Sequence, residues 1–173
     1  MIDSIVYVDE NDRCYGLSGM AVALSLYNNE EKILEIDIDR HPDPIDFTPD
    51  FYFSGNPRYS AKVVWSDMAH NFHLALAMAL GNLFSRRMII SDRTLNDSEE
   101  KYLQTIARQE GYEACGLEPD EIEAIWNKDY VYIRRVFAHP AVKKITSELA
   151  EELKSKRVLS RQELVEFLMK ING

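Results

Sequence analysis

Residues 59–84 read YSAKVVWSDMAHNFHLALAMALGNLF, and the hydrophobic period changes inside this stretch. Up to Trp65 the pattern is two-fold: Tyr59, Ala61, Val63 and Trp65 alternate with their neighbours, as in a half-buried strand. From Ser66 onward it is helical. Ser66 is placed to cap a helix whose Ala69, Phe72, Leu76, Ala79, Leu80 and Leu83 share one face. Leu74 and Met78 occupy the opposite side, so this helix is apolar nearly all round and is predicted to be central.

Upstream, Leu34, Ile36 and Ile38 alternate with Glu35, Asp37 and Asp39. Met20, Val22, Leu24 and Leu26 alternate with Ala21, Ala23, Ser25 and Tyr27 in the same way, and Ile5-Val6-Tyr7-Val8 reads as a short opening strand. Asn28-Asn29 and Ser54-Gly55-Asn56-Pro57 suit hairpin turns, the second returning Phe51-Tyr52-Phe53 into the Tyr59–Trp65 run. Downstream, helical signals repeat. Asp97 with Glu100 caps a helix presenting Leu103, Ile106 and Ala107, with Gly111 as its stop. Pro119 opens the next, through Ile122 and Trp126 toward Phe137. Pro140 opens another, and Ser160 with Glu163 boxes the last. Strands first and helices second predict an α+β fold: an N-terminal antiparallel β-meander over about residues 4–65, packed by about five C-terminal helices.

The 173 residues suit one compact domain spanning 1–173, with ordinary globular proportions of hydrophobic (46%) and charged (28%) residues. No basic leader followed by an apolar run opens the chain, and the most apolar segment, Phe72 to Phe84, is too short to span a bilayer. Cys14 and Cys115 lie far apart without metal-ligand spacing, which points to reduced thiols and a cytoplasmic location. Charge is uneven: residues 1–65 carry 12 acidic against 5 basic side chains within a formal net charge of −9. That acidity disfavours nucleic acid as a partner. A protein partner fits better, and the amphipathic last helices also suit a homo-oligomer.

Two clusters carry candidate chemistry. Asp37, Asp39, His41 and Asp43 project to one side of an extended chain, where oxygen and nitrogen ligands together suit Mn²⁺ or Zn²⁺. Asp67, His70 and His73 recur every three residues on the central helix, so neighbours in that row can reach a common ion. The ordinary readings are an acidic strand face for the first cluster and a hydrogen-bonded core-edge histidine for the second. No P-loop, dinucleotide fingerprint or nucleophile elbow appears, and Arg13 beside Cys14 is the one neighbour that favours a thiolate. A third candidate is the aromatic group Phe47, Phe51, Tyr52 and Phe53, of the type that anchors partner interfaces.

The junction Asp92-Arg-Thr-Leu95-Asn96-Asp-Ser-Glu99 resembles the helix–turn–helix junction of the tellurite-resistance-associated helical domain family, with Arg93 where that family has glycine. The resemblance leaves the strand-rich first half unaccounted for. It implies a helical module with Asp92 and Glu99 as cation ligands near the turn. The residues themselves favour a non-enzymatic binding or interaction protein with an acidic, partly aromatic surface. The alternative is a divalent-metal hydrolase, in which an Asp/His-held ion lowers the pKa of a bound water.

Overall fold

The structure, a computed structural model, describes residues 6–49, 51 and 61–172; of residues 61–67 and 172 it describes the backbone alone. The architecture is α+β, mostly helical with a small three-stranded antiparallel sheet. The order is α1 (Glu10–Ser25), β1 (Ile33–Asp37), β2 (Ile45–Phe47), α2 (Ala61–Ser85), α3 (Asp97–Glu113), α4 (Pro119–Ala138), α5 (Pro140–Lys156), β3 (Val158–Ser160) and α6 (Arg161–Asn172).

The first difference from expectation is α1. Residues 20–25, expected as a strand, are the second half of a helix that begins at Glu10. Asp9 caps it by accepting the Asp12 amide at 2.7 Å, and Glu10 and Asp12 place negative charge on its first turn. Leu17, Ser18, Gly19 and every residue from Ala21 to Ser25 are buried. A helix enclosed on all sides has no polar stripe to betray its period, and the large–small alternation of Met20 to Leu26 imitates a strand. Asn28, with a φ of 54°, turns the chain out of α1 rather than through a hairpin. Residues 6–8 form no strand; Ile5 and the Ser54–Pro57 turn lie outside the described residues.

β1 was legible, and its partners were not. It is the middle strand, in the order β2-β1-β3. Ile36 faces Ile45 of β2 on one side and Leu159 of β3 on the other, and the β1–β2 register shifts between Ile33 and Glu35. That irregularity lets both Ile33 and Ile36 be fully buried. Ala61–Trp65 continue α2 rather than forming a strand, which puts Ser66 inside the helix instead of at its cap.

α2 packs along α1 and α4, with Phe72, Leu74, Leu76, Leu80, Leu83 and Phe84 all buried, as its all-round apolar character predicts. It runs into a π-helical turn, Arg86–Ile90. There Arg86, 1% exposed, sends Nε and Nη2 to the two carboxylate oxygens of Asp12 at 2.7 and 2.6 Å. Its Nη2 also donates to the Val6 carbonyl at 2.9 Å, and its guanidinium lies 4.7 Å from the Tyr7 ring centroid. Burial acts to raise the Asp12 carboxyl, but the Arg86 hydrogen bonds and the Val8 amide outweigh it and hold its pKa below the ordinary value.

The helix starts follow the sequence signals with small shifts. Asn96, not Asp97, caps α3, in a reciprocal box with Glu99. Gly111 is buried inside α3 against Ile122 and Phe72, and the left-handed residue after the helix is Gly116, at φ 63°. Pro119 and Pro140 open α4 and α5, and Ser160 with Glu163 boxes α6.

Candidate functional site

The first Asp/His cluster does not stay extended. β1 ends at Asp37, and the chain turns at once: the Arg40 amide donates to the Asp37 carbonyl at 3.2 Å and the Asp39 amide to Asp37 Oδ1 at 2.9 Å. Ile38 stays buried as the alternation expects, but the turn after Asp37 ends the extended run that would line up residues 37, 39, 41 and 43. Asp39 is engaged by Arg157, whose Nε and Nη2 donate to its two oxygens at 2.6 Å each, and the pairing lowers its pKa. His41 is exposed before a cis peptide bond to Pro42, and Asp43 is exposed beside it.

In the second cluster, His73 Nδ1 lies 2.6 Å from Asp129 Oδ2, and the Tyr27 hydroxyl donates to Asp129 Oδ1 at 3.1 Å. Asp129 is fully buried, and burial together with that carboxylate raises the Tyr27 pKa. His70 is exposed, its ring centroid 6.3 Å from that of His73; the Asp67 side chain lies outside the described residues. Among the described residues, no three His, Cys, Asp or Glu side chains come together as a metal site.

Glu99, implied as a cation ligand by the resemblance at its junction, is enclosed by guanidiniums instead. Arg87 Nε donates to it at 2.6 Å, and Arg93 Nη1 and Nη2 at 2.9 and 3.1 Å. Burial pushes this carboxyl up, yet those bonds and the Asn96 amide draw it down to about 2. Two cations in its coordination sphere leave no electrostatic reason for a third. Asp92 is exposed in a left-handed conformation, φ 51°.

The aromatic group divides. Tyr52 and Phe53 lie outside the described residues, while Phe47 and Phe51 stack with ring centroids 4.8 Å apart and are half-buried against the core. Each of the two lines a cavity. Phe51 borders one of about 210 Å³ with Met68, Phe72 and Cys115. Phe47 borders a larger cleft of about 380 Å³ between α1 and the β1–β2 connection.

Of the two, the cleft is the larger and the stronger candidate site. From α1 come Arg13, Leu17 and Met20, whose spacing of four and three residues sets them on one helix face. Tyr7 adds an aromatic wall before the helix, and Pro42, Asp43, Pro44, Ile45 and Phe47 close the far side. Tyr7 is fixed from behind: Asn82 Nδ2 donates to its hydroxyl at 2.6 Å, and burial raises its pKa. Arg13 is fixed as well, donating from Nη2 to the Arg40 carbonyl at 2.9 Å, with its guanidinium 5.7 Å from the Tyr7 ring centroid. Its Nε is buried and has no hydrogen-bond partner among the described residues. No local pattern marks this site, because Arg13 sits far from residues 42–47 in sequence and meets them only in the folded chain.

No protein-family model matches the chain, and no curated protein matches it. The lining of the site therefore carries the functional reading.

Proposed function

We propose that this chain is a non-enzymatic binding protein that takes its ligand into the cleft between α1 and the β1–β2 connection. The observation that carries this reading is the cleft itself, about 380 Å³ of space lined mainly by Tyr7, Leu17, Met20, the two prolines, Ile45 and Phe47, with one cationic group, Arg13, and one anionic group, Asp43, among them. Small-molecule sites have this composition, an apolar and aromatic wall with few polar groups fixed in place. It also keeps the partly aromatic, sheet-side surface of the sequence reading, with Phe47 as its aromatic anchor.

A cytoplasmic location belongs to the same proposal and is supported by two free cysteines, Cys14 buried and Cys115 half-buried. No helix among the described residues is long and apolar enough to cross a membrane. The metal-hydrolase reading has less behind it. Its best support is His73, oriented by a buried carboxylate as metal-bound histidines are, but no third ligand joins it among the described residues.

A neutral solvatochromic naphthalene dye tests the binding reading. Saturable one-site binding, abolished when Met20→Trp fills the cleft, is the expected result. Binding that Met20→Trp leaves unchanged would place the ligand elsewhere and refute it.

A further inference from the structure

Resting on the cleft reading, we infer that the ligand is a small organic monocarboxylate with an apolar or single-ring body, its carboxylate held by Arg13. Arg13 carries a charge to which no carboxylate is hydrogen-bonded among the described residues, and Asp39 acts on it only at longer range. Arg86 and Arg87, both strongly enclosed, are each paired with a carboxylate, Asp12 and Glu99 respectively. Arg13 is half-buried, yet among the described residues no carboxylate forms an ion pair with it; its Nη2 donates to a backbone carbonyl instead. Withdrawing a guanidinium from water without an anion is costly, and an N–H left unpaired adds to the cost. The enclosed Arg13 Nε adds to that deficit, and Arg13 lines the cleft, where an anion can meet the open part of its guanidinium.

The geometry also selects the anion. A carboxylate can accept from the guanidinium N–H groups that remain open to the cleft, a charge-assisted bond for which arginine is suited. Asp43, exposed at the rim, and a formal net charge of −9 both oppose a second negative charge. A dianion such as a phosphate monoester is disfavoured. Beyond Arg13, Leu17 and Met20 continue along the same face of α1, and Tyr7 and Phe47 present rings. An apolar body lies against these side chains while the acid group reaches the guanidinium. At about 380 Å³ the cleft stands near the lower end of small-molecule sites, which suits one ring rather than several.

Calorimetric titration of the full chain with 3-phenylpropionate, its methyl ester and phenyl phosphate tests the inference, using wild type, Arg13→Gln and Met20→Trp. Circular dichroism melts establish that each variant folds. The expected result is that 3-phenylpropionate binds more tightly than the ester and loses about tenfold or more in Arg13→Gln, the change that loss of a charge-assisted hydrogen bond produces. The ester should be indifferent to Arg13→Gln, and Met20→Trp should abolish both. Equal binding of acid and ester, unaffected by Arg13→Gln, would overturn the carboxylate assignment and leave the cleft reading standing. Tighter binding of phenyl phosphate would overturn the monoanion assignment. No binding of acid or ester to the wild type would overturn the inference and the cleft reading together.

Discussion

Gly19 of α1 and Gly81 of α2 meet where the two helices cross, and a Cβ on either would fall on the carbonyl oxygen of the other. Other neighbours also crowd the crossing: the Cβ of Ser85 would lie 2.7 Å from one on Gly19, and that of Ala23 2.7 Å from one on Gly81. In a free helix, Gly→Ala gains about 1 kcal/mol. Here backbone rather than a flexible side chain blocks the space, so the helices must separate. Gly19→Ala and Gly81→Ala are each expected to lose about 2 kcal/mol net, within the usual cost of overpacking. Urea midpoints measure this, and a rise in either would refute the close crossing.

The Asp12–Arg86 pair should behave as a buried ion pair. Asp12→Asn leaves a guanidinium that is 1% exposed without its carboxylate, and the expected loss is about 3–5 kcal/mol. Replacing both partners, as in Asp12→Leu with Arg86→Met, should cost less than either single change. A double-mutant cycle with additive losses would contradict that coupling.

Glu99 gives a pH dependence with a definite sign. Its folded pKa of about 2 lies below the ordinary 4.5, so the folded state binds the proton less readily than the unfolded chain. Its contribution is fully present above pH 4.5 and is lost as pH falls from there toward about 2. Glu99→Gln should lower stability at neutral pH and flatten the acid limb of the stability curve. An unchanged acid limb would show that Arg87 and Arg93 do not act on this carboxylate.

Much of the helical half was legible, for reasons visible in single residues. Pro119 and Pro140 can begin helices but not sit within them, and Ser160 with Glu163 encodes its own cap. α1 was not legible: its periodicity depends on which neighbours are large and small, and Gly19 makes sense only beside Gly81. Nor was β3, whose three residues follow Arg157 in a left-handed conformation at φ 67°, without a glycine to mark the turn. The candidate site failed for a related reason. Of the aromatic group, Phe47 was found by composition, but Tyr7 and Arg13 become its neighbours only through the packing of α1. The contact of Tyr27 with Asp129 and His73 likewise joins three elements with no shared local pattern.

That contact is testable through stability. Tyr27→Phe removes a donor from a fully buried carboxylate while keeping the ring, and should cost about 1–3 kcal/mol. Its removal should also leave the near-ultraviolet tyrosinate titration of the native protein unchanged below pH 11, because Tyr27 is held protonated. A smaller tyrosinate signal in the variant would mean that Tyr27 ionises freely.

The cysteines should be slow toward thiol reagents. Burial, aided by Glu10, pushes Cys14 up to about 11, and burial with Glu110 raises Cys115. Labelling with an aromatic disulfide at pH 8 should modify Cys115 slowly and Cys14 only on unfolding. Rapid modification of Cys14 in the native state, read by mass spectrometry, would contradict its enclosure.

The middle strand has a consequence for how the chain is made. β1 is complete only when β3 lies along it, with Ile36 opposite Leu159 and the Ile38 amide bonded to the Arg157 carbonyl at 3.0 Å. During synthesis, one edge of β1 therefore waits while more than a hundred residues are added. α1, which also packs on α5, waits with it. Segments more than a hundred residues apart close the sheet together, so β1 and α1 cannot finish folding on the ribosome ahead of α5 and β3.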